Sequence, residues 1–222
     1  MSAPQDPITA EFFARNASWA RAVERADPGF FERSAQGQSP KVFQHPIILS
    51  ILWIGCADSR VPPSVVTASM PGEIFVHRNI ANQFPTEDDN AHSVLDYAVH
   101  HLGVQHVVIV GHTHCGGVQA ALAAAQSPKP PTDAIERWLT PLAAVAVAEH
   151  LHDDEEGRAR LTEANVRLQM KNVREAVAEG TQRRAGGSES SGEVWVHGWV
   201  YELEKGLLRV VETTEEVEGV CA

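Results

Sequence analysis

Short apolar runs closed by glycine alternate along this chain with stretches of helical periodicity. Ile51-Leu52-Trp53-Ile54-Gly55 and Val107-Val108-Ile109-Val110-Gly111 are unbroken runs of aliphatic, β-branched and aromatic residues. Runs of that length without polar alternation predict parallel strands buried on both faces. The pattern predicts strands over 51–55, 73–77, 106–110 and 194–200, with 206–211 as a hairpin partner of the last. Helical patterns lie between them at about 90–102, 117–126, 134–151 and 161–179, the last capped by Gly180. Strands that alternate with helices predict an α/β fold, with a mostly parallel central sheet flanked by helices. Residues 8–36 read as a helical arm ahead of the sheet, with Thr9 as its cap, Phe12, Phe13, Trp19 and Val23 as its apolar contacts and Asp27-Pro28-Gly29 as its stop. Phe30 and Phe31 fall in a further turn, and so many large apolar groups suit packing on a partner subunit as readily as on the arm's own. Residues 185–192 read as a flexible loop and 212–222 as a solvated, disordered acidic tail.

At 222 residues the chain fits one domain, 1–222, with a sizeable core. A net charge of −11 argues against nucleic acid and anionic membranes as partners, because both need a basic face. It leaves room for a small anion, since a metal and one arginine can reverse the field locally. No run reaches the roughly 20 apolar residues of a membrane span. The opening MSAPQDPITAEFF has neither the basic start and apolar core of a signal peptide nor the arginines of a transit peptide. Three cysteines do not form a disulfide framework. The expected compartment is therefore the reducing cytoplasm.

The two apolar runs deliver Cys56-Ala57-Asp58-Ser59-Arg60 and His112-Thr113-His114-Cys115-Gly116-Gly117 to the carboxyl ends of two strands. That edge is where open α/β sheets place ligands. Two thiolates and an imidazole suit zinc better than other common metals. A lone strand-end cysteine is more often core than ligand, but the paired occurrence makes Cys56, His112 and Cys115 the expected zinc ligands. His-x-His spacing also allows His112 with His114. The Cys115-Gly116-Gly117 turn favours Cys115 instead, because its glycines let the backbone wrap a metal, and His114 keeps at most a part in proton transfer. Asp58 is close enough in sequence to reach the same metal, and Arg60 can grip its carboxylate in a bidentate pair. A switch follows, in which Asp58 binds either the metal or Arg60, leaving the fourth position to water in the second case. The plainer alternative makes Asp58 a loop acceptor and Arg60 a solvated charge. Cys221 has no partner at ligand spacing.

With these residues in place, the chain resembles the β-class carbonic anhydrases from about Gln38 to Val211. GQSP, LWIGCADSRVP, GEIFVHRNIAN, SVLDYAVHHLGV, HVVIVGHTHCGGV and VHGWVYELEKG occur in the family's order. The resemblance implies one zinc ion per subunit on Cys56, His112 and Cys115, with Asp58 as fourth ligand in a closed form and the partner of Arg60 in an open one. It implies reversible hydration of CO2 to bicarbonate and a proton through zinc-bound hydroxide. Phe75, Ile80 and Tyr97 match residues lining an apolar CO2 pocket, the Gly116 amide supports the bound oxygen, and Gln38 matches a substrate-binding glutamine. The arm would wrap a neighbour, giving a homodimer or tetramer. Trp53, Arg78 and Tyr201 match a non-catalytic bicarbonate site found in some members, although the two aromatics suit a core and Arg78 an ion pair equally well.

One departure stands out. Gln38 lies eighteen positions before Cys56, about twice the family's usual distance, and the extra segment 42–50 is apolar. The rival readings are a zinc hydrolase acting on CS2 or COS on the same scaffold, and a zinc-binding regulatory protein without turnover.

Overall fold

The computed structural model describes residues 7–35, 51–126, 129–184 and 194–213. Gln38, the 42–50 segment, the 185–192 loop, Cys221 and most of the acidic tail lie outside the described residues. The chain divides into two units, residues 1–39 and 40–222.

The first unit is the helical arm. Its helix α1 spans Pro7–Ala26 and α2 spans Phe30–Ser34. The helix begins at Pro7 rather than after Thr9, since a proline's fixed φ and missing N–H suit a first helical position. Asp27-Pro28-Gly29 ends α1 as expected, with Gly29 left-handed at φ 79°. Trp19, Phe30 and Phe31 meet edge to face. Phe12 and Phe13 remain 65% exposed.

The second unit carries a five-stranded sheet of β1 (Ile51–Cys56), β2 (Ile74–Asn79), β3 (His106–His112), β4 (Trp195–Glu202) and β5 (Leu207–Thr213), in the order β2-β1-β3-β4-β5. The first four strands run parallel and β5 closes the edge antiparallel. The mostly parallel sheet is therefore as the pattern predicts. The tail does not begin at 212: Glu212 belongs to β5, where it pairs with Arg167 and Arg174.

Alternation along the strands sends Leu52 and Ile54 to one face and Trp53 to the other. On the first face they join Val107, Ile109 and Val196 under α4 (Asp89–Asp96) and α7 (Glu155–Arg184). α7 can lie this close because Gly111 and Gly198 present no side chain. A Cβ on Gly198 would stand 2.4 Å from the Met170 sulfur. Gly180, expected to cap the helix, lies inside it instead. Its missing side chain lets α7 pass the imidazole of His100, 3.1 Å from where a Cβ would be. On the second face Trp53 packs with Val108, Val110, Trp199 and Tyr201.

The helical pattern expected over 90–102 resolves into α4 and one π-helical turn at Tyr97–His101. Two short elements have no clear periodicity and went unpredicted: α3 (Pro63–Val66) and a 3-10 turn at Ile80–Asn82. α5 (Gly116–Gln126) and α6 (Ala134–Ala148) complete the unit.

Candidate metal centre

β1 and β3 are hydrogen-bonded neighbours, so their carboxyl ends bring Cys56 and His112 side by side. Cys115 follows three residues later, immediately before α5, and all three side chains are buried. One ligand atom from each lies within 4.8 Å of the others. His112 Nδ1 donates to the Thr113 carbonyl at 2.8 Å. That bond puts the ring proton on Nδ1 and leaves the lone pair on Nε2. His112 Nε2 is buried and has no hydrogen-bond partner. A buried nitrogen acceptor facing two sulfurs, and otherwise unsatisfied, fits a cation in the space between them.

The thiols support the same reading. The Cys115 thiol and the backbone N–H groups of Asp58 and Ala81 hold Cys56 well below the ordinary thiol range despite burial. Cys115 is pushed up, first by its hydrogen bond to Cys56 and then by burial, although the N–H groups of Gly117 and Val118 at the start of α5 favour its thiolate. Two buried thiolates side by side repel each other, and a cation between them relieves that repulsion.

Asp58 and Arg60 meet in the bidentate pair expected of them. Arg60 Nη2 donates to Asp58 Oδ2 at 2.7 Å, and Nε to Oδ1 at 3.0 Å. The guanidinium holds the Asp58 carboxyl far below the usual carboxylate range, and Asp58 raises Arg60 in return. Arg60 Nη2 also donates to the His114 carbonyl at 3.1 Å, which ties the loop after β1 to the loop after β3. Asp58 Oδ2 stands 3.9 Å from His112 Nε2. The His114 ring is exposed, outside the Cys–His–Cys group, and faces Glu204 at 3.8 Å.

The expected pocket residues fall into two groups. Ile80 and Gly116 lie at the metal centre: Ile80 Cγ2 is 3.1 Å from where a Gly117 Cβ would be, and the space over Gly116 is open. Phe75 and Tyr97 are stacked on each other, ring centroids 5.9 Å apart, at another level of the sheet. Phe75 pairs with Leu52 and Asn79 with Cys56, so four residues, about 13 Å of strand, separate Phe75 from the ligand edge. Of the three expected bicarbonate-site residues, Trp53 and Tyr201 share the second-face cluster. Trp53 Nε1 is buried without a partner. Arg78 donates to the Cys56 and Asp58 carbonyls.

Sequence reasoning missed the residues that support this centre. Thr113 Oγ1 donates to Glu204 at 2.6 Å and accepts from Leu203 N at 2.9 Å, fastening the His112–Cys115 loop to the β4–β5 hairpin. Asn165 and Gln169 are buried amides on α7 that reach the turn after β2. Their signal was present: two polar residues four apart within the apolar stripe of Leu161, Val166, Met170 and Val173.

The comparisons with known proteins agree with this geometry. Residues 51–208 match the family model described as carbonic anhydrase. A carbonic anhydrase of Emericella nidulans is 40% identical over 90% of this chain and 81% of its own length. A tetrameric β-carbonic anhydrase from Sordaria macrospora superimposes with a TM-score of 0.74 at 32% identity, covering 95% of this chain and 100% of that one. The β-carbonic anhydrase CafA of Aspergillus fumigatus gives 0.73 at 34% identity, over 98% and 93%. With the fold, the order of its motifs and relatives spanning nearly all of its length in agreement, the chain belongs to the β-class carbonic anhydrases, enzymes that hydrate carbon dioxide.

Proposed function

We propose that Cys56, His112 and Cys115 hold one zinc ion per subunit and that the chain reversibly hydrates CO2 to bicarbonate and a proton. The observation that carries this reading is the buried, unpartnered Nε2 of His112 facing two thiols. Zinc held there would lower the pKa of its water from 15.7 toward roughly 7 and supply hydroxide near neutral pH. The protein's part is electrostatic and steric. Asp58, held by Arg60, leaves the fourth position to water; released, it is the carboxylate nearest the ligands. The bond from Arg60 to the His114 carbonyl gives the guanidinium a second anchor that does not involve Asp58. The Gly116 N–H at the start of α5 and the Ile80 side chain bound the remaining approach.

Phe75 and Tyr97 line the CO2 pocket only if another copy brings them there. Their stack is set back along the sheet, and Tyr97 is 44% exposed. A homodimer, or a tetramer like the Sordaria macrospora enzyme, supplies them, with the arm and its exposed Phe12 and Phe13 packing on the neighbour and Gln38 reaching substrate. The two free thiols of the centre need a reducing compartment, which supports a cytoplasmic location. No helix among the described residues is long and apolar enough to cross a membrane. Trp53, Arg78 and Tyr201 form the inhibitory bicarbonate site, supported by the unpartnered Trp53 Nε1 beside Tyr201. Because Arg78 already holds two carbonyls, bicarbonate must draw it off the Cys56–Asp58 segment and so disturb the ligand loop.

Stopped-flow CO2 hydration and zinc stoichiometry on the same preparation test this reading. Two thiolates donate more charge than imidazoles, so the rate is expected to rise toward alkaline pH. A flat profile, or activity that survives chelation of the metal, overturns the mechanism. Equal or faster turnover of CS2 reassigns the substrate, and an unchanged rate at high bicarbonate removes the inhibitory site.

A further inference from the structure

β2 ends in a turn that L-residues rarely adopt. Ala81 and Asn82 both sit in the left-handed region, at φ 61° and 44°, and neither is glycine. Such a conformation persists only where surrounding contacts impose it. Here they come from two helices. Asn165 Nδ2 donates to the Ala81 carbonyl at 2.8 Å. Behind it, Gln169 Nε2 donates to Asn165 Oδ1 at 2.9 Å, while Gln169 Oε1 accepts from Phe84 N at 2.8 Å. From α6, the Trp138 indole donates to the Ile80 carbonyl at 2.8 Å. Asn165 and Gln169 are 1% and 3% exposed, where an amide is tolerated only when its bonds are made.

The turn touches the metal centre at two points. Ala81 is fully buried in the same cluster as Cys56 and Cys115, so the residue gripped by Asn165 at its carbonyl packs beside two of the ligands. The Ala81 methyl and Ile80 Cγ2 lie 2.9 and 3.1 Å from where a Gly117 Cβ would be, which seats the turn on the start of α5. Groups that orient metal ligands from behind act on ligand basicity and geometry as well as on stability.

We propose that Asn165, braced by Gln169, is a positioning residue for the metal centre: it fixes the Ala81 turn so that Ala81 packs beside Cys56 and Ile80 walls the approach beside Gly117. The proposal rests on the zinc reading above. Its test uses the full chain loaded with zinc and, separately, with cobalt(II), in wild type, Asn165→Ala, the isosteric Asn165→Asp, Gln169→Glu and Val173→Ala. Val173→Ala removes buried volume two turns further along α7 without reaching the turn. Both Asn165 variants are expected to keep one metal per chain, to lose about 10- to 100-fold in kcat/KM and to alter the sulfur-to-cobalt charge-transfer band. Gln169→Glu keeps the acceptor for Phe84 but loses the donor to Asn165, so a smaller change of the same kind is expected and remains readable if Asn165→Ala does not fold. At a comparable drop in Tm, Val173→Ala is expected to keep the wild-type band and kcat/KM. Folded, metal-loaded Asn165 and Gln169 variants with an unaltered cobalt band, and activity lost only as Val173→Ala loses it, overturn the positioning role. Wild-type protein that binds no stoichiometric metal overturns the zinc reading itself, and that result is visible before any variant is made.

Discussion

The carboxyl edge of the sheet is built on β1 and β3 and the Phe75–Tyr97 stack on β2 and the π-helical turn, yet only the first is fully buried within a single chain. At the edge, Cys56, His112 and Cys115 converge within one subunit, with Asp58 and Arg60 already paired beside them. The stack sits about 13 Å back along β2, half exposed. The difference teaches that the convergence of Cys56, His112 and Cys115 depends on strand adjacency, which the sheet of one chain supplies, whereas the proposed apolar pocket depends on what covers an exposed face. Metal binding and substrate handling should therefore separate under mutation.

The largest expected effect is at the edge. Cys56→Ser or His112→Ala should drop zinc below one per chain and hydration below about 1% of wild type, read by metal analysis and stopped flow. Full activity without zinc would collapse the comparison. Next comes Arg60→Ala, which should retain zinc and lose about 10- to 100-fold in rate, because Asp58 is no longer held off the fourth position. The acid side carries a matching sign. Asp58 is depressed by Arg60, so the pair stabilises the fold above the ordinary carboxylate pKa of about 3.9 and that contribution disappears as pH falls through the depressed value. Acid titration of unfolding should show Arg60→Ala losing this low-pH margin, while wild type keeps it.

A smaller effect is expected at the stack. Phe75→Ala should leave zinc stoichiometry unchanged and raise the KM for CO2 by about two- to tenfold, the worth of a lost aromatic contact. Activity per zinc should also fall on dilution if a second copy supplies these rings. A monomer as active as the assembly would break the comparison from the other side. Smallest in activity is Gly198→Ala, remote from both regions. Its Cβ meets Met170 and Val166, so thermal denaturation should register about 1–3 kcal/mol of lost stability with turnover per zinc intact.

Much of the site was legible because its chemistry is local. Cys56 and His112 each end an apolar run, and buried parallel strands put such ends on one edge. The Asp58–Arg60 pair needed only two residues of separation, and the structure shows it formed. The gaps share a cause. Gly180 read as a cap because glycine often ends helices, yet here it admits the imidazole of His100 against an unbroken α7. Glu212 read as tail because it opens an acidic run, but two arginines on α7 hold it in β5. Neither His100 nor those arginines is near in sequence to the residue it explains.

The sequence by itself determined the α/β layering, the grouping of Cys56, His112 and Cys115 and the family, since each rests on periodicity or on residue types at short spacing. Only the tertiary structure decided that His112 carries its proton on Nδ1, that Phe75 and Tyr97 stand apart from the edge, and that α7 amides brace the Ala81 turn. Those facts depend on how the His112 ring turns to the Thr113 carbonyl, how far Phe75 lies along β2, and which distant carbonyl comes within about 3 Å of an α7 amide, and no local pattern encodes geometry of that kind.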